Sequence, residues 1–139
     1  LSGAPFKKHL EEKSIMSGFN YTMASSADDA CSQLQGTDDG YLIAGGMTLL
    51  PSVKLGLASP SDLIDLTDAG LAGITVDGNS VKIGAMTRHA DVASSSDVAG
   101  VIPALASLAS GIGDPQVRNR GTIGGSVANN DPAADYPAA

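Results

Sequence analysis

"YLIAGGMTLL" (Tyr41–Leu50) turns an apolar run, Tyr41-Leu42-Ile43-Ala44, directly into two adjacent glycines and a threonine. The run reads as a buried strand, and the glycine pair reads as its exit. A second pair lies far downstream in "GTIGGSVANND" (Gly121–Asp131), again after an apolar residue and again followed by a hydroxyl residue, Ser126. Glycine lacks a Cβ, so its backbone approaches a neighbour or a ligand closely and reaches positive φ. Successive N–H groups in such a corner can form an anion-binding nest. Thr48, Thr122 and Ser126 add hydroxyl donors. Each amide bonded to a charged oxygen contributes ~1.5–3 kcal/mol, so several could stand in for a lysine against a pyrophosphate. Taken singly, each pair is a tight turn and nothing more. Taken together, the pairs are either two such turns or two jaws on one ligand.

Working outward, Phe19–Met23 reads as a first short strand. Ser25-Ser26-Ala27-Asp28-Asp29 supplies hydroxyl caps and first-turn acids for a helix. Its apolar positions are Ala27, Ala30, Cys31 and Leu34, and Gly36 ends it. Strand, helix and strand make a small α/β unit. Leu49–Leu57 is a second helical or irregular stretch, and Ser61–Leu66 a strand. Ile74–Val76 and Val81–Ile83 flank Asp77-Gly78-Asn79, a hairpin signal, with Lys82 pointing outward. Thr87 is expected to cap a helix running through Val92. Pro103 opens another helix whose buried side is expected to carry Ile102, Leu105, Leu108, Ala109 and Ile112. After Gly111 the chain reads as irregular. Residues 1–15 are charge-dense and unlike the rest, and are expected to be a leader or upstream extension before Met16-Ser17-Gly18.

Composition narrows the function. The 139 residues fit one domain, or one with part of another. Aromatics are 4% with no Trp, so the core rests on Ala, Val, Leu and Ile. The net charge of −7 and the scattered Lys and Arg argue against nucleic-acid binding. A single cysteine, Cys31, excludes a disulfide or Cys-based cluster within the chain and is expected as core filler. No run is long enough to span a membrane and no signal peptide is visible, so a cytoplasmic setting is the default. His9 and His89 have no acidic cluster at ligand spacing, which argues against zinc. His89 is expected at a helix start, on the surface or behind a site. Gly73–Ser80 has P-loop-like spacing with Asn79 where the lysine is needed. Gly111-Ile112-Gly113 begins a dinucleotide fingerprint that Gln116 breaks, with no strand before it. No G-x-S-x-G elbow is present.

Three stretches in order, "AGGMTLLPSVKLGLASPSDLIDL", "VKIGAMTRHADV" and "DPQVRNRGTIGGSVANNDPAADYPA", resemble the flavin-binding subunits and domains of molybdenum hydroxylases. These are the medium subunits of carbon monoxide dehydrogenase and the flavin domains of xanthine dehydrogenase. The resemblance covers about Phe19–Ala139. It implies an α+β fold, the N-terminal portion of the two-lobed FAD-binding domain of the vanillyl-alcohol oxidase (PCMH) type. The first α/β lobe is then residues 16–57. The second lobe, built on an antiparallel sheet, is residues 58–139 and is expected to be incomplete, since relatives run about twice as far.

The resemblance also implies a site. In that family both glycine loops wrap the FAD pyrophosphate and adjoining sugar. The first carries over to Ala44, Gly45, Gly46, Met47 and Thr48. The second carries over to Thr122, Ile123, Gly124, Gly125 and Ser126. Asp135 matches an acid that helps to hold the cofactor. Met47 stands where many relatives carry His or Asn; it cannot form a histidyl–flavin bond, so the FAD is expected to be non-covalent. Ser126 replaces a common Asn. No catalytic residue and no metal ligand is assigned to this chain; Asp135 and Tyr136 are read as binding and structural. The implied role is electron relay from molybdopterin and iron–sulfur partner subunits to an acceptor. The alternative is a truncated stand-alone module that self-associates as a homo-oligomer or binds a nucleotide or phosphate ligand.

Overall fold

The computed structural model describes residues 18–138. The expected leader, residues 1–15, lies outside them. Strand β1 (Asn20–Met23), helix α1 (Ala27–Gln35), strand β2 (Gly40–Ile43), helix α2 (Leu49–Lys54) and strand β3 (Asp62–Asp65) form the first unit. All strand pairs in it are parallel, in the order β1-β3-β2. The last strand in sequence is therefore the middle one in space. Its Leu63 and Ile64 are both 1% exposed, as a strand covered on both faces should be. The boundary expected at residues 57/58 falls before this strand, so it would cut the centre out of the sheet.

Helix α1 starts as its sequence dictates. Ser26 accepts from the Asp29 amide at 3.0 Å, while the Asp29 carboxylate accepts from the Ser25 amide and hydroxyl. Hydrogen bonds from the Ser25 amide, the Gln33 side chain and the Ser25 hydroxyl, in that order, hold the Asp29 carboxyl below the usual carboxylate range. Only Ala30 is buried on this helix, packed with Ala24 and Ile64 and flanked by Leu34 and Leu66. Cys31, expected in the core, is exposed. One residue past Ala30, about 100° around the helix, it lies off the narrow stripe that faces the sheet.

The second unit begins with the antiparallel hairpin of β4 (Ile74–Asp77) and β5 (Ser80–Ile83). Gly78, at φ 56°, takes the first central position of its two-residue turn. Helices α3 (His89–Ser94), α4 (Ser96–Val101) and α5 (Pro103–Gly111) pack beside it. Val92, Val98, Ala106 and Ala109 form their core, with Ile74, Val81, Ile83, Leu105 and Tyr136 partly buried against it. Ile102 was expected on this buried side but is 42% exposed; it precedes the helix, where the backbone is not yet helical. Ala106, one residue past Leu105, takes the buried position instead.

Thr87 does not cap α3. Its hydroxyl is spent on Gly73, accepting from the amide at 3.0 Å and donating to the carbonyl at 3.1 Å, so it clips the start of the hairpin to its exit. The stretch after Gly111 is not irregular. It holds α6 (Pro115–Arg120) and α7 (Ile123–Asn129), followed by a 3₁₀ turn, Tyr136–Ala138. Both helices carry start signals: Asp114 accepts from the Gln116 amide ahead of Pro115, and Thr122 accepts from the Gly125 amide. Their brevity and the two glycines inside α7 hide them from periodicity.

Candidate functional site

The two glycine corners meet. The segment Gly84–Arg88 leaves the hairpin and is stitched to the second corner by three main-chain bonds. His89 N–H donates to the Gly121 carbonyl, Ile123 N–H to Thr87, and Gly124 N–H to Ala85, at 2.9–3.0 Å. The first corner then lies across the α6–α7 junction. A β-carbon on Gly45 would sit 2.1 Å from the Arg120 carbonyl oxygen and 2.8 Å from the Gly121 Cα. A β-carbon on Gly124 would sit 2.5 Å from that of Ala85. Glycine at both places is a packing requirement. Gly46, at φ 72°, then turns the chain into α2.

A cavity of about 660 Å³ opens where the corners converge, within the ~300–1,000 Å³ usual for small-molecule sites. Every residue expected to hold the cofactor lines it except Ile123, whose amide and helical position face the Thr87 segment. The corners differ in what they offer. At the first, the consecutive amides of Gly45, Gly46, Met47, Thr48 and Leu49 donate to no partner among the described residues. The Thr48 hydroxyl makes no capping bond. At the second, the amides of Ile123, Gly124, Gly125 and Ser126 are already taken, by Thr87, Ala85, the Thr122 hydroxyl and the Thr122 carbonyl. The expectation that both corners present open amides is therefore met at the first and corrected at the second. There the chain enters a helix, and the first turn's donors close on the cap and on the neighbouring segment. What the second corner keeps is the Ser126 hydroxyl and its close fit under the first.

Among the described residues no lysine or arginine lines the cavity. A bound diphosphate would be held by main-chain amides and hydroxyls, and the run at Gly45–Leu49 suits it. Asp131 and Asp135 also line the cavity. Their carboxylates only accept hydrogen bonds, so they suit hydroxyl donors such as those of a sugar. The residues present fit FAD on these grounds: open amides for phosphate, acceptors for sugar, and apolar wall from Leu66, Ile112 and Val117.

His89 also lines the cavity, and it is 5% exposed, not at the surface. Its Nδ1 lies 2.9 Å from the Tyr136 hydroxyl, with the rings 5.3 Å apart. Burial pushes its pKa down, and the Asp135 carboxylate opposes that in part. Burial, with the charge of Asp135, pushes the Tyr136 phenol up to about 12. The sequence sign for this buried pair was slight: a histidine opening a helix whose remaining apolar residues face a core. Asp131, Ala85 and Met86 were likewise not singled out, having no motif of their own. Among the described residues no group of His, Cys, Asp and Glu could hold a metal, and no helix is long and apolar enough to cross a membrane.

Comparison with known proteins agrees with this geometry. Residues 17–139 match the family model described as FAD binding domain in molybdopterin dehydrogenase. The carbon monoxide dehydrogenase medium chain of Hydrogenophaga pseudoflava is 47% identical over 122 residues, 86% of this chain and 42% of that protein. A 6-hydroxypseudooxynicotine dehydrogenase complex subunit alpha of Paenarthrobacter nicotinovorans is 42% identical over 121 residues, 86% of this chain and 41% of that protein. A solved structure of carbon monoxide dehydrogenase from Hydrogenophaga pseudoflava, lacking the Mo-pyranopterin moiety, superposes with a TM-score of 0.84 at 46% identity, covering 87% of this chain and 43% of that one. The chain spans about two fifths of the length of these relatives. With the fold, the paired corners and the match in accord, the chain belongs to the family of FAD-binding domains of molybdopterin dehydrogenases.

Proposed function

We propose that this chain binds FAD non-covalently in the cavity between the two glycine corners, as the flavin-holding part of a molybdenum-hydroxylase-type oxidoreductase. The observation that carries the reading is the run of open amides from Gly45 to Leu49 on a cavity that no cationic side chain lines among the described residues. In this reading Ala44, Gly45, Gly46, Met47 and Thr48 hold the diphosphate. Thr122, Gly124, Gly125 and Ser126 form the opposing wall, with Ser126 as a donor; Ile123, off the cavity, ties that wall to Thr87 through its amide, and Asp135 accepts from a sugar hydroxyl. Met47 contributes its amide, since its thioether cannot donate. FAD, when bound, would supply the electron-transfer chemistry; the chain binds, orients and shields it.

Partner subunits carrying molybdopterin and iron–sulfur clusters belong to the proposal. Its support is that relatives are named as medium chains or complex subunits of dehydrogenases. A cytoplasmic setting goes with it. FAD titration of the purified protein, followed by flavin absorbance and fluorescence, tests the reading: saturable binding is expected, with ADP much weaker. Equal affinity for ADP would favour a generic nucleotide binder, and a colourless protein in excess FAD would remove the flavin role. Self-association is a separate proposal that light scattering decides; exposed Leu55, Leu57 and Val127 are its support.

A further inference from the structure

The buried histidine at the cavity wall is left without a role by the flavin reading, and its surroundings give it one. His89 stands at the start of α3, with its main-chain amide bonded to the Gly121 carbonyl at 3.0 Å. One ring nitrogen, Nδ1, meets the Tyr136 hydroxyl at 2.9 Å. The other, Nε2, has no hydrogen-bond partner among the described residues. Yet no buried side-chain nitrogen or oxygen among them is left unpartnered. Nε2 therefore keeps access to solvent although the residue is 5% exposed, and the residue borders the cavity. The edge of the ring carrying Nε2 lies against Gly121, where a β-carbon would come within 2.8 Å of it.

We propose that His89 is a cofactor-contacting residue, its Nε2–H donating into the cavity, and that Tyr136 is a positioning residue that fixes this tautomer by donating its hydroxyl proton to Nδ1. The inference rests on the flavin reading above. Its chemistry follows from the inventory of the pair. A protonated phenol 2.9 Å from Nδ1 can donate to it, and in that arrangement a neutral imidazole accepts at Nδ1 and carries its proton on Nε2. Burial favours that neutral imidazole. The cavity, which has no lysine or arginine on its wall among the described residues, thereby gains an imidazole donor in addition to the hydroxyls of Thr48 and Ser126.

The test uses the full chain with FAD as the probe. Nitrogen-detected NMR of the imidazole is expected to show the Nε2–H tautomer without FAD and a shift of the Nε2 resonance when FAD is added. His89→Phe, which keeps an aromatic ring and removes the donor, is expected to weaken FAD binding about tenfold, the worth of one good hydrogen bond. Tyr136→Phe leaves the imidazole in place and is expected to mix the tautomers and weaken FAD binding by a smaller factor. An Nδ1–H tautomer in the wild type, an Nε2 signal indifferent to FAD, or unchanged FAD affinity in a folded His89→Phe variant would overturn the role of His89. Should His89→Phe fail to fold, the NMR signals and the Tyr136→Phe affinity decide. If the wild type binds no FAD at all, the flavin reading falls and this inference falls with it, which the wild-type titration alone reveals.

Discussion

Gly45 lies directly beneath the carbonyl of Arg120, so closely that a β-carbon on it would stand 2.1 Å from that oxygen. The two residues lie seventy-five positions apart in the sequence, and their contact holds the first corner, which lines the cavity, against the α6–α7 junction. The obstacle is main chain, which cannot swing aside as a side chain would. Gly45→Ala should therefore push the first corner off the α6–α7 junction. The expected cost is that of overpacking, about 1–3 kcal/mol or more, with FAD retention lost. Gly56→Ala is the control: φ is 71° there, but nothing lies within 4 Å. It should cost only the left-handed strain of ~1–2 kcal/mol and keep the flavin. Thermal melts and flavin-to-protein ratios of the two variants check this, and equal behaviour would mean that the corners are not interlocked.

Thr122 caps α7 from a position only 4% exposed, its hydroxyl accepting from the Gly125 amide at 3.1 Å. Thr122→Val keeps the shape and removes the acceptor. Stability should fall by about 1 kcal/mol, the worth of an N-cap, and Thr122→Ser should restore most of it. Denaturant midpoints measure both. A valine variant as stable as wild type would mean that the corner is held by the bonds of Ile123 and Gly124 alone.

Much of this arrangement was legible in the sequence, for definite reasons. Strand β2 announced itself as an apolar run leading into a glycine pair, and the hairpin by its Gly78-Asn79 turn. The Ser26 cap behaves as its residue type requires, with Asp29 reaching back to accept from the Ser25 amide. The convergence of the glycine corners could be suspected from their likeness, although no local signal encodes a contact between distant segments. What stayed hidden was set by tertiary context. That β3 is the central strand depends on pairing, not on its own sequence. Cys31 and Ile102 are apolar residues left outside because no layer reaches them. Helices of six and seven residues, the second with two glycines, leave no periodicity, so α6 and α7 could be read only from their caps. The spent amides of Gly125 and Ser126 follow from the start of α7, and those of Ile123 and Gly124 from the Ala85–Thr87 segment packed against it.

Thr87 offers a cleaner test of the second unit. Its buried hydroxyl both donates to and accepts from Gly73, fastening the ends of the hairpin. Thr87→Val is nearly isosteric and leaves the Gly73 amide without that partner. A loss of about 1–3 kcal/mol is expected, the penalty for an unpaired polar group in a dry setting. Hydrogen exchange should locate the change at Gly73–Thr75 and the segment Gly84–His89, with β1–β3 unaffected. Uniformly faster exchange over both units would instead point to global destabilisation with no local clip.

His89 gives the chain an acid sensitivity whose sign is fixed by its surroundings. Burial depresses its folded-state pKa below the usual 6.5, and the neighbouring Asp135 carboxylate only partly offsets this. In the unfolded chain the imidazole takes up a proton near its ordinary value, while in the folded protein it resists. The unfolded state therefore binds more protons in the interval between the two values, and stability must rise with pH across it. Stabilisation is complete above about pH 6.5 and is lost as the pH falls towards the depressed folded value. His89→Gln removes the titrating group while keeping an amide able to meet the Tyr136 hydroxyl. The difference between the wild-type and His89→Gln unfolding free energies, measured by denaturant titration from neutral pH downward, should change in that interval and be flat above it. A difference that stays constant throughout would show that the imidazole titrates alike in both states, and that its burial carries no electrostatic cost.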